Sequence, residues 1–582
     1  MTDQVASTDR SRRYETDRYL SAVGLNWYDS DPSLQFLVHA AFDADGQSWA
    51  EPHLERLGAL MGGPVAEWAV EIDRNPPYLE RYDRWGNETS HVVLPPAFQA
   101  SRAAVEGDNF SSDAFRAKAT EAGVDANLMT AAWGYLLSQA DVGIYCSVGT
   151  GRDMVERLSE AFAPDHVHAR VRELLSVEDG TATTAQMFTE RAGGADLRAL
   201  ETTATPEGDH YLLDGVKWFV SNAHSSTFIV LAKIAGSEDV KSFLVLRERM
   251  DGTPNGVHVR RLKDKLGTKS VPSGEAELIA AEGWLLERRE ESAAPPASDG
   301  RLRGGLGGLM ALTNGARIGI ANMGLGCARR ALVEAICYTR AREAFGKPVI
   351  DQPLAKRKLA ELIVEVEAAQ ALVFEGFTQT RLRLCAPIVK MRVARLGITA
   401  ASDAIELHGG NGYIEDWPVA RILRDAQVNP VWEGPDNILC LDVARGIRRN
   451  HGEVTLLERF RELLAQAPGD DPATEKLVID AVEDVAETIE RWKRLEGDVA
   501  EAKLFPLTEY LADVWSAALL LAQSGAEKRL GWAPAGRKAL VARLFVQRHL
   551  APTPAHRGID EPCEDVDRFD ELLAGAFVDP RV

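Results

Sequence analysis

Cysteine is scarce in this chain. The 582 residues include six cysteines, and no two of them form a Cys-x-x-Cys pair, which argues against a zinc site. So few cysteines in so long a chain do not resemble a disulfide framework, and they fit a reducing compartment. Cys327, Cys337 and Cys440 lie in apolar helical patterns, so we expect them to pack in a core. The sequence therefore predicts a cytoplasmic protein without a metal site.

Positive charge is also in short supply. Lys and Arg number 66 against 87 Asp and Glu, which gives a formal net charge of -21. Such a charge opposes a bulk electrostatic grip on nucleic acid. We therefore expect no nucleic-acid partner.

Long apolar runs are a third absence. Residues 1 to 19 are polar and charged and lack the apolar core of a signal peptide. No run looks long enough to span a bilayer, and the short run Ala517–Ala522 is interpreted as part of a buried helix. The sequence predicts no membrane association.

Apolar content is high, at 45% of the residues, and the length predicts several domains. Residues 1–183 are predicted to be mainly helical, because apolar residues recur three and four apart. The clearest segments are Leu54–Met61, Pro64–Ile72, Asn127–Gln139 and Val167–Leu175. Pro76-Pro77 and Pro95-Pro96 are interpreted as breakers between helices.

A β domain is predicted for residues 184–290. Its strongest signal is Tyr211–Val220, in which Asp214-Gly215 separates two alternating runs. That pattern predicts a hairpin. Phe228–Ala232 and Ser242–Leu246 continue with strand-like patterns.

Residues 300–450 are predicted to form a four-helix bundle. Its helices are expected at about Leu309–Ala344, Pro353–Leu384, Ala386–His408 and Asn437–Arg449. Residues 451–582 form a further helical domain, with helices expected at Leu456–Leu464, Glu475–Lys493 and Leu507–Arg529. The predicted fold class is mainly α with a central β domain.

The run from His408 to Gly434 carries the strongest functional signal. It contains a glycine turn, Gly409-Gly410-Asn411-Gly412, and ends in Trp432-Glu433-Gly434. A carboxylate among apolar neighbours should have a raised pKa, as a base that removes a carbon-bound proton requires. The ordered motifs resemble the acyl-CoA dehydrogenase family, in which the corresponding Glu is the catalytic base. The resemblance implies an N-terminal helical domain, a middle β-barrel or sandwich and a C-terminal four-helix bundle, here with an extra helical segment.

Three further motifs imply an FAD site. They are Thr189-Glu190 with Gly194-Ala195-Asp196, Lys217–Asn222, and Arg340–Pro348. In the family, the Arg that corresponds to Arg342 reaches the FAD of a neighbouring subunit, which implies a homodimer or homotetramer. The FAD contacts implied by the resemblance are Met187, Phe188, Thr189, Gly194, Ala195, Phe219, Val220, Ser221, Arg342, Phe345, Gln352, Leu407, Gly409, Gly410 and Asn437. An electron-transfer flavoprotein is the implied electron acceptor.

The acyl-CoA contacts implied by the resemblance are Ala195, Asn314, Arg317 and Gly434. Ala195 and Asn314 replace a Ser and an Asp of the family pattern, and Arg317 could equally serve a structural ion pair. Pro435 stands where the family commonly has a Thr that bonds FAD. One branch of the family carries its catalytic Glu at the position just before the Arg that corresponds to Arg317. Here that position is Ala316, so Glu433 has no rival as the base.

Three functions remain open at this point. The first is FAD-dependent α,β-dehydrogenation of a branched or unusual acyl-CoA. The second is an FAD-binding protein of the adaptive-response branch, with a vestigial acyl-CoA site and a protective or binding role. The segments Arg261–Gly267 and Trp432–Val443 of this sequence resemble that branch. The third is a nitroalkane-oxidising relative, against which Glu433 counts because that branch uses Asp.

Overall fold

The N-terminal region is helical in the computed structural model, which describes residues 21–149, 151–176, 183–287 and 305–581, with the backbone alone for 305–312. Asp31, Asp43, Ser112 and Asp125 cap helices here, each accepting a hydrogen bond from a backbone N–H of the first turn. The helices are α1 Pro32–Ala41, α2 Ala44–Leu60, α3 Ala66–Arg74, α4 Pro96–Gly107, α5 Asp113–Glu121, α6 Ala126–Ala140, α7 Val142–Gly149, α8 Arg152–Phe162 and α9 Asp165–Leu175.

An antiparallel hairpin interrupts these helices, between the two proline pairs. Its strands are β1 Tyr78–Tyr82 and β2 Glu88–Val93. Most of its side chains are exposed, so the sequence offers little apolar alternation from which strands could be predicted. The Ser90 hydroxyl accepts a hydrogen bond from Val259 N–H at 2.9 Å, which ties the hairpin to the middle domain.

The middle domain is a closed sheet. Its strands are β3 Thr184–Met187, β4 Thr203–Glu207, β5 His210–Val220, β6 Thr227–Ile234, β7 Val240–Leu246, β8 Val257–Leu262 and β9 Gly274–Leu285. The pairings run β6, β4, β5, β9, β7 and back to β6, while β3 extends along β6 and β8 pairs with β9. The ring encloses a core that includes Leu213, Phe228, Phe243 and Leu278.

The hairpin predicted at Asp214-Gly215 is wrong, because β5 is one strand. A register shift between Leu213 and Gly215 marks a bulge, and the Asp214 carboxylate accepts a hydrogen bond from Ala280 N–H at 2.9 Å. A Cβ on Gly215 would lie 2.3 Å from Thr202 Oγ1. The glycine thus permits a close approach rather than a turn.

The helical bundle follows. Its long helices are α10 Gly305–Ala341, α11 Pro353–Thr378, α12 Cys385–His408 and α14 Asp436–Asn450. The strands β10 Glu343–Ala344 and β11 Lys347–Pro348 separate α10 from α11, and the shorter α13 Pro418–Ala426 precedes α14. Cys327, Cys337 and Cys440 are buried in the core, as their apolar patterns predict.

The C-terminal segment is helical and packs against the bundle. It comprises α15 Gly452–Leu464, α16 Pro472–Lys493, α17 Gly497–Ala502, α18 Leu504–Leu530, α19 Arg537–His549, α20 Glu564–Asp567 and α21 Phe569–Ala574. At the junction, buried Glu367 of α11 pairs with Arg537 and, at 2.9 Å, with Lys538 of α19.

The apolar run Ala517–Ala522 lies within α18 and is buried, as the sequence predicts. The stretch Gly497–Leu530 is long and apolar enough to cross a membrane by length and composition. Within it, 72% of the apolar window is buried inside the protein, as in a core helix.

The end of the described chain packs on its beginning. Val578 N–H donates to Ser30 O at 3.3 Å, and Arg581 donates to Ser21 O at 3.1 Å. Arg329 of α10 donates to Ala576 O at 2.7 Å. The C-terminal segment therefore completes the packing of the N-terminal region.

Candidate functional site

Glu433 lies in a tight turn between α13 and α14. Both Glu433 and Gly434 have positive φ, 54° and 99°. The left-handed region is unfavourable for Glu and is seen in residues that the surrounding structure holds in place. Glycine suits the second position, because a side chain at φ 99° would be strained.

Two cations hold the carbonyls of this turn. Arg317 of α10 donates from Nε to Glu433 O at 3.1 Å, and Lys390 of α12 donates from Nζ to Gly434 O at 2.7 Å. Arg317 also pairs with Asp442 at 2.7 Å and donates to Asn314 Oδ1 at 3.1 Å. The sequence left open whether Arg317 forms a structural ion pair, and the contact with Asp442 is such a pair.

The Glu433 carboxyl experiences opposing influences. Burial raises its pKa, while the positive charges of Arg317 and Lys390 lower it, and the net shift is upward. Burial lowers the pKa of Lys390 to about 8. A carboxylate with a raised pKa, on a turn whose backbone is held in place, is suited to accept a proton from carbon.

The end of β5 meets this turn through Cys146 of α7. Ser221 hydrogen-bonds to the Cys146 thiol, and Glu433 and Lys265 are close enough to influence its ionisation. Burial raises the pKa of this thiol to about 11. Three regions far apart in the sequence therefore converge around Glu433.

The loop after β3 runs alongside β5. Trp218 N–H donates to Thr189 O at 2.8 Å, and Glu190 N–H donates to Gly193 O at 2.7 Å. The buried Glu190 carboxylate accepts from Lys217 Nζ at 2.5 Å and from Glu201 N–H at 2.6 Å. These bonds fix the loop that carries Thr189, Gly194 and Ala195, while Met187 and Phe188 lead into it from β3.

Two aromatic rings lie at this end of β5. Phe219 is 55% exposed. Lys263 Nζ lies 3.3 Å from the centroid of the Trp218 ring, and Arg191 lies 5.4 Å from it. An exposed ring beside a hydroxyl residue provides the apolar surface and the hydrogen-bonding group that a planar ring system requires.

The fit of FAD to this region rests on chain groups near Glu433. The apolar ring of Phe219 and the hydroxyl of Ser221 lie at the end of β5, which meets the Glu433 turn. Among the described residues, the buried indole N–H of Trp432, the neighbour of Glu433 in the sequence, has no hydrogen-bond acceptor. Asn437 is exposed in the first turn of α14.

A second group of predicted residues lies elsewhere. Phe345 and Gly346, with φ of 53° and 82°, form the two-residue turn between β10 and β11. Gln352 donates to Ala344 O at 3.0 Å, and Val349 N–H donates to Arg342 O at 2.8 Å. Phe345 is 98% exposed.

The glycine turn lies near that hairpin. Asn411 donates to the Tyr338 hydroxyl at 3.1 Å, and His408 stacks on Tyr338 with ring centroids 4.3 Å apart. Leu407, Gly409 and Gly410 therefore belong with Arg342, Phe345 and Gln352, at the far ends of α10 and α12.

The two groups are well separated within one chain. Arg317 and Ala341, the last residue of α10 and the neighbour of Arg342, are about 36 Å apart along the helix, and Lys390 and His408 are about 27 Å apart along α12, at 1.5 Å per residue. The motif from His408 to Gly434 is continuous in sequence but contributes to two places. Both groups can serve one cofactor if the second group comes from another copy of the chain.

Sequence reasoning missed Lys390, Asp442 and Cys146. A lysine between Val389 and Met391 in an apolar helix was a usable signal, because buried lysines are rare without a partner. Asp442 and Cys146 gave no local signal.

Family models of known proteins match three of the four regions of the chain. The acyl-CoA dehydrogenase C-terminal domain matches residues 303–448, the acyl-CoA dehydrogenase middle domain matches 185–280, and the adaptive response protein AidB N-terminal domain matches 20–176. AidB of Escherichia coli (strain K12) is 30% identical over 478 residues, which cover 78% of this chain and 84% of AidB.

Two solved structures share the fold. Caenorhabditis elegans ACDH-11 in complex with C11-CoA has a TM-score of 0.81 at 22% identity, over 94% of this chain and 96% of that one. A Bacillus anthracis acyl-CoA dehydrogenase complexed with FAD has a TM-score of 0.67 at 18% identity, over 94% and 93%.

Proposed function

The chain belongs to the acyl-CoA dehydrogenase family, and we propose that it removes hydrogen from the α and β carbons of an acyl-CoA thioester with Glu433 as the base. The observation that carries the proposal is the Glu433 turn, whose two carbonyls are held by Arg317 and Lys390. FAD is the cofactor of this family, and when bound it supplies the acceptor for the β-hydrogen.

The Glu433 carboxylate is proposed to remove the α-proton of the substrate. The Glu433 carboxylate has a raised pKa, so its conjugate acid can retain the α-proton. The fixed backbone of the turn directs the carboxylate to one side of the substrate, and such positioning supplies a large part of a rate enhancement. Phe219 and Ser221, with Thr189 on the neighbouring loop, are proposed to hold the isoalloxazine on the other side.

The acyl group is proposed to be branched or unusual. Ala195 is exposed and lacks the hydroxyl expected there, and the Asn314 amide is engaged with Arg317. The C11-CoA bound by the C. elegans protein makes a medium-length chain a reasonable first probe. An electron-transfer flavoprotein is the proposed acceptor.

Anaerobic mixing tests the proposal. The purified protein should carry FAD, and a panel of straight and branched acyl-CoAs should contain at least one that bleaches it. Glu433→Gln should keep FAD and ligand binding, because Gln has nearly the same shape. Its flavin reduction should fall by about 10⁴-fold or more, the upper end for loss of a general base. A Gln variant reduced at the wild-type rate would show that Glu433 is not the base.

A second function is favoured by the same departures. Ala195 offers no hydroxyl, and Asn314 replaces an Asp and is engaged with Arg317. Both departures favour an FAD-binding protein of the adaptive-response branch with a vestigial acyl-CoA site. Wild-type protein that binds FAD but is bleached by no acyl-CoA in the panel would support this function instead.

A further inference from the structure

We infer that Lys390 and Arg317 are positioning residues for Glu433, and that Lys390 also supplies a positive charge that keeps the base ionised. The inference rests on the proposed function, since it takes Glu433 as the proton acceptor. It extends that function to two cations on neighbouring bundle helices.

The first step is the direction of the hydrogen bonds. The Lys390 side chain is fully buried, yet its ammonium donates to a backbone carbonyl, Gly434 O, at 2.7 Å. Arg317 is 5% exposed and reaches the preceding carbonyl, Glu433 O, at 3.1 Å. Two adjacent carbonyls of a turn with positive φ thus each have a cationic donor.

The second step is the charge balance. Asp442 is shared by Arg317 at 2.7 Å and Arg383 at 2.6 Å. Asp436 is paired with Arg395 at 2.6 Å. Lys390 therefore brings a further positive charge into this cluster, where it acts on Asp436 as well as on Glu433. Within the part of the chain that the structure describes, Glu433 is the one of these three carboxylates without an arginine ion pair.

The third step is the effect on titration. The groups that face Glu433 are Arg317 of α10, Lys390 of α12 and the Cys146 thiol of α7, with Lys265 beyond that thiol. Burial favours the protonated acid, whereas the two cations favour the carboxylate. Removing the Lys390 charge should therefore raise the pKa of Glu433 and leave less active base at a given pH.

Two substitutions separate charge from hydrogen bonding. Lys390→Gln keeps a donor for Gly434 O but loses the charge, while Lys390→Arg keeps both. Arg392→Met removes a cation from the same helix that pairs with Glu365 at 3.1 Å, away from the turn, and serves as the control. The rate of anaerobic flavin reduction by a competent acyl-CoA is measured against pH.

We expect the acid limb of the Lys390→Gln profile to move up by about one pH unit, the lower end of the effect of an adjacent charge. Lys390→Arg and Arg392→Met should keep the wild-type limb. Lys390→Met should show the same shift. Its plateau rate should also fall about 10- to 100-fold, because the turn loses the hydrogen bond to Gly434 O that keeps it in place. A Lys390→Gln limb that coincides with wild type, or a fall in rate that is uniform across pH, overturns the inference.

Titration of the carboxyl itself keeps the test independent of turnover. Infrared difference spectra of ¹³C-glutamate protein with bound FAD, with Glu433→Gln to assign the band, report ionisation without substrate. If no acyl-CoA reduces the wild type, the proposed function fails, but the titration still decides the inference. A Glu433 band that titrates at higher pH in Lys390→Gln supports it, and an unchanged band overturns it.

Discussion

Lys217 and Glu190 form an ion pair buried inside the middle domain, with an Nζ to Oε1 distance of 2.5 Å. Burial lowers the pKa of Lys217 to about 8. Lys217 also donates to Leu231 O at 2.5 Å, and Glu190 also binds the Thr202 hydroxyl at 2.5 Å. The pair therefore joins the loop after β3 to the wall of the barrel.

Lys217→Met should destabilise the protein by about 3–5 kcal/mol, because it leaves the Glu190 charge buried without its partner. FAD occupancy should fall as well, since the loop carries Thr189. Denaturant unfolding and the flavin-to-protein absorbance ratio measure the two effects. Lys233→Met is the matched control, because its partner Glu238 is largely exposed and such pairs contribute about 0–1 kcal/mol. Equal losses in both variants would contradict this role.

At the residue scale, the sequence could identify Glu433 because the evidence is local. Its apolar neighbours and its place in an ordered set of motifs point to one carboxylate. The residues that keep the Glu433 turn in place could not be identified in this way. Arg317 and Asp442 are 125 positions apart, and Cys146 reaches the site only when α7 packs against the end of β5.

The β10–β11 hairpin is the element through which we expect self-association. Phe345 at its tip is 98% exposed, and Leu354 and Tyr413 are 84% and 85% exposed. Exposed apolar side chains that lie together mark interaction sites, and these three belong to the hairpin and to the segments beside it. The separation of this hairpin from Glu433 also requires a second copy if Arg342 is to reach the same cofactor.

Phe345→Ser should weaken the assembly without changing the stability of the protomer by more than about 0.5 kcal/mol, as for other exposed positions. Light scattering over a dilution series should show earlier dissociation, together with loss of FAD. Trp85→Ser, at a 76% exposed position on the β1–β2 hairpin, should behave as wild type. A monomeric wild type with full FAD occupancy would refute the shared site.

Prediction at the element scale succeeded where periodicity was long. The expected bundle helices at Pro353–Leu384 and Ala386–His408 correspond to α11 and α12. It failed at Asp214-Gly215 because the partners that make this a bulge, Thr202 and Ala280, lie elsewhere in the chain. The exposed strands β1 and β2 lacked the alternation that a strand prediction needs.

At the scale of the whole molecule, the buried cluster of Glu367, Arg537 and Lys538 joins the bundle to the C-terminal segment. Burial opposes ionisation of Glu367, but the two cations outweigh it and lower its pKa to about 2. Lys538 also donates to Ser33 Oγ of α1 at 3.1 Å. One cluster thus connects three parts of the chain.

Glu367→Gln should destabilise the protein by about 3–5 kcal/mol, because it leaves two buried cations without their carboxylate. The wild-type contribution is complete above the ordinary Glu pKa of about 4.3 and is lost as pH falls toward 2. The stability difference between wild type and variant, from unfolding curves at several pH values, should therefore shrink below about pH 4. Glu361→Gln, near the exposed Arg548 at 3.3 Å, is the control. A difference that stays constant down to pH 2 would contradict the assignment.

The contacts of Ala576, Val578 and Arg581 with α10, Ser30 and Ser21 have a consequence for biosynthesis. The N-terminal helices leave the ribosome first, whereas these packing partners are made later, with Arg581 following 560 residues after Ser21. At roughly 5–20 residues per second, the first helices wait about half a minute to two minutes for those partners. During that interval the newly made helices present surface that these later residues will cover, so production in cells should depend on chaperone capacity more than the stability of the folded protein would suggest.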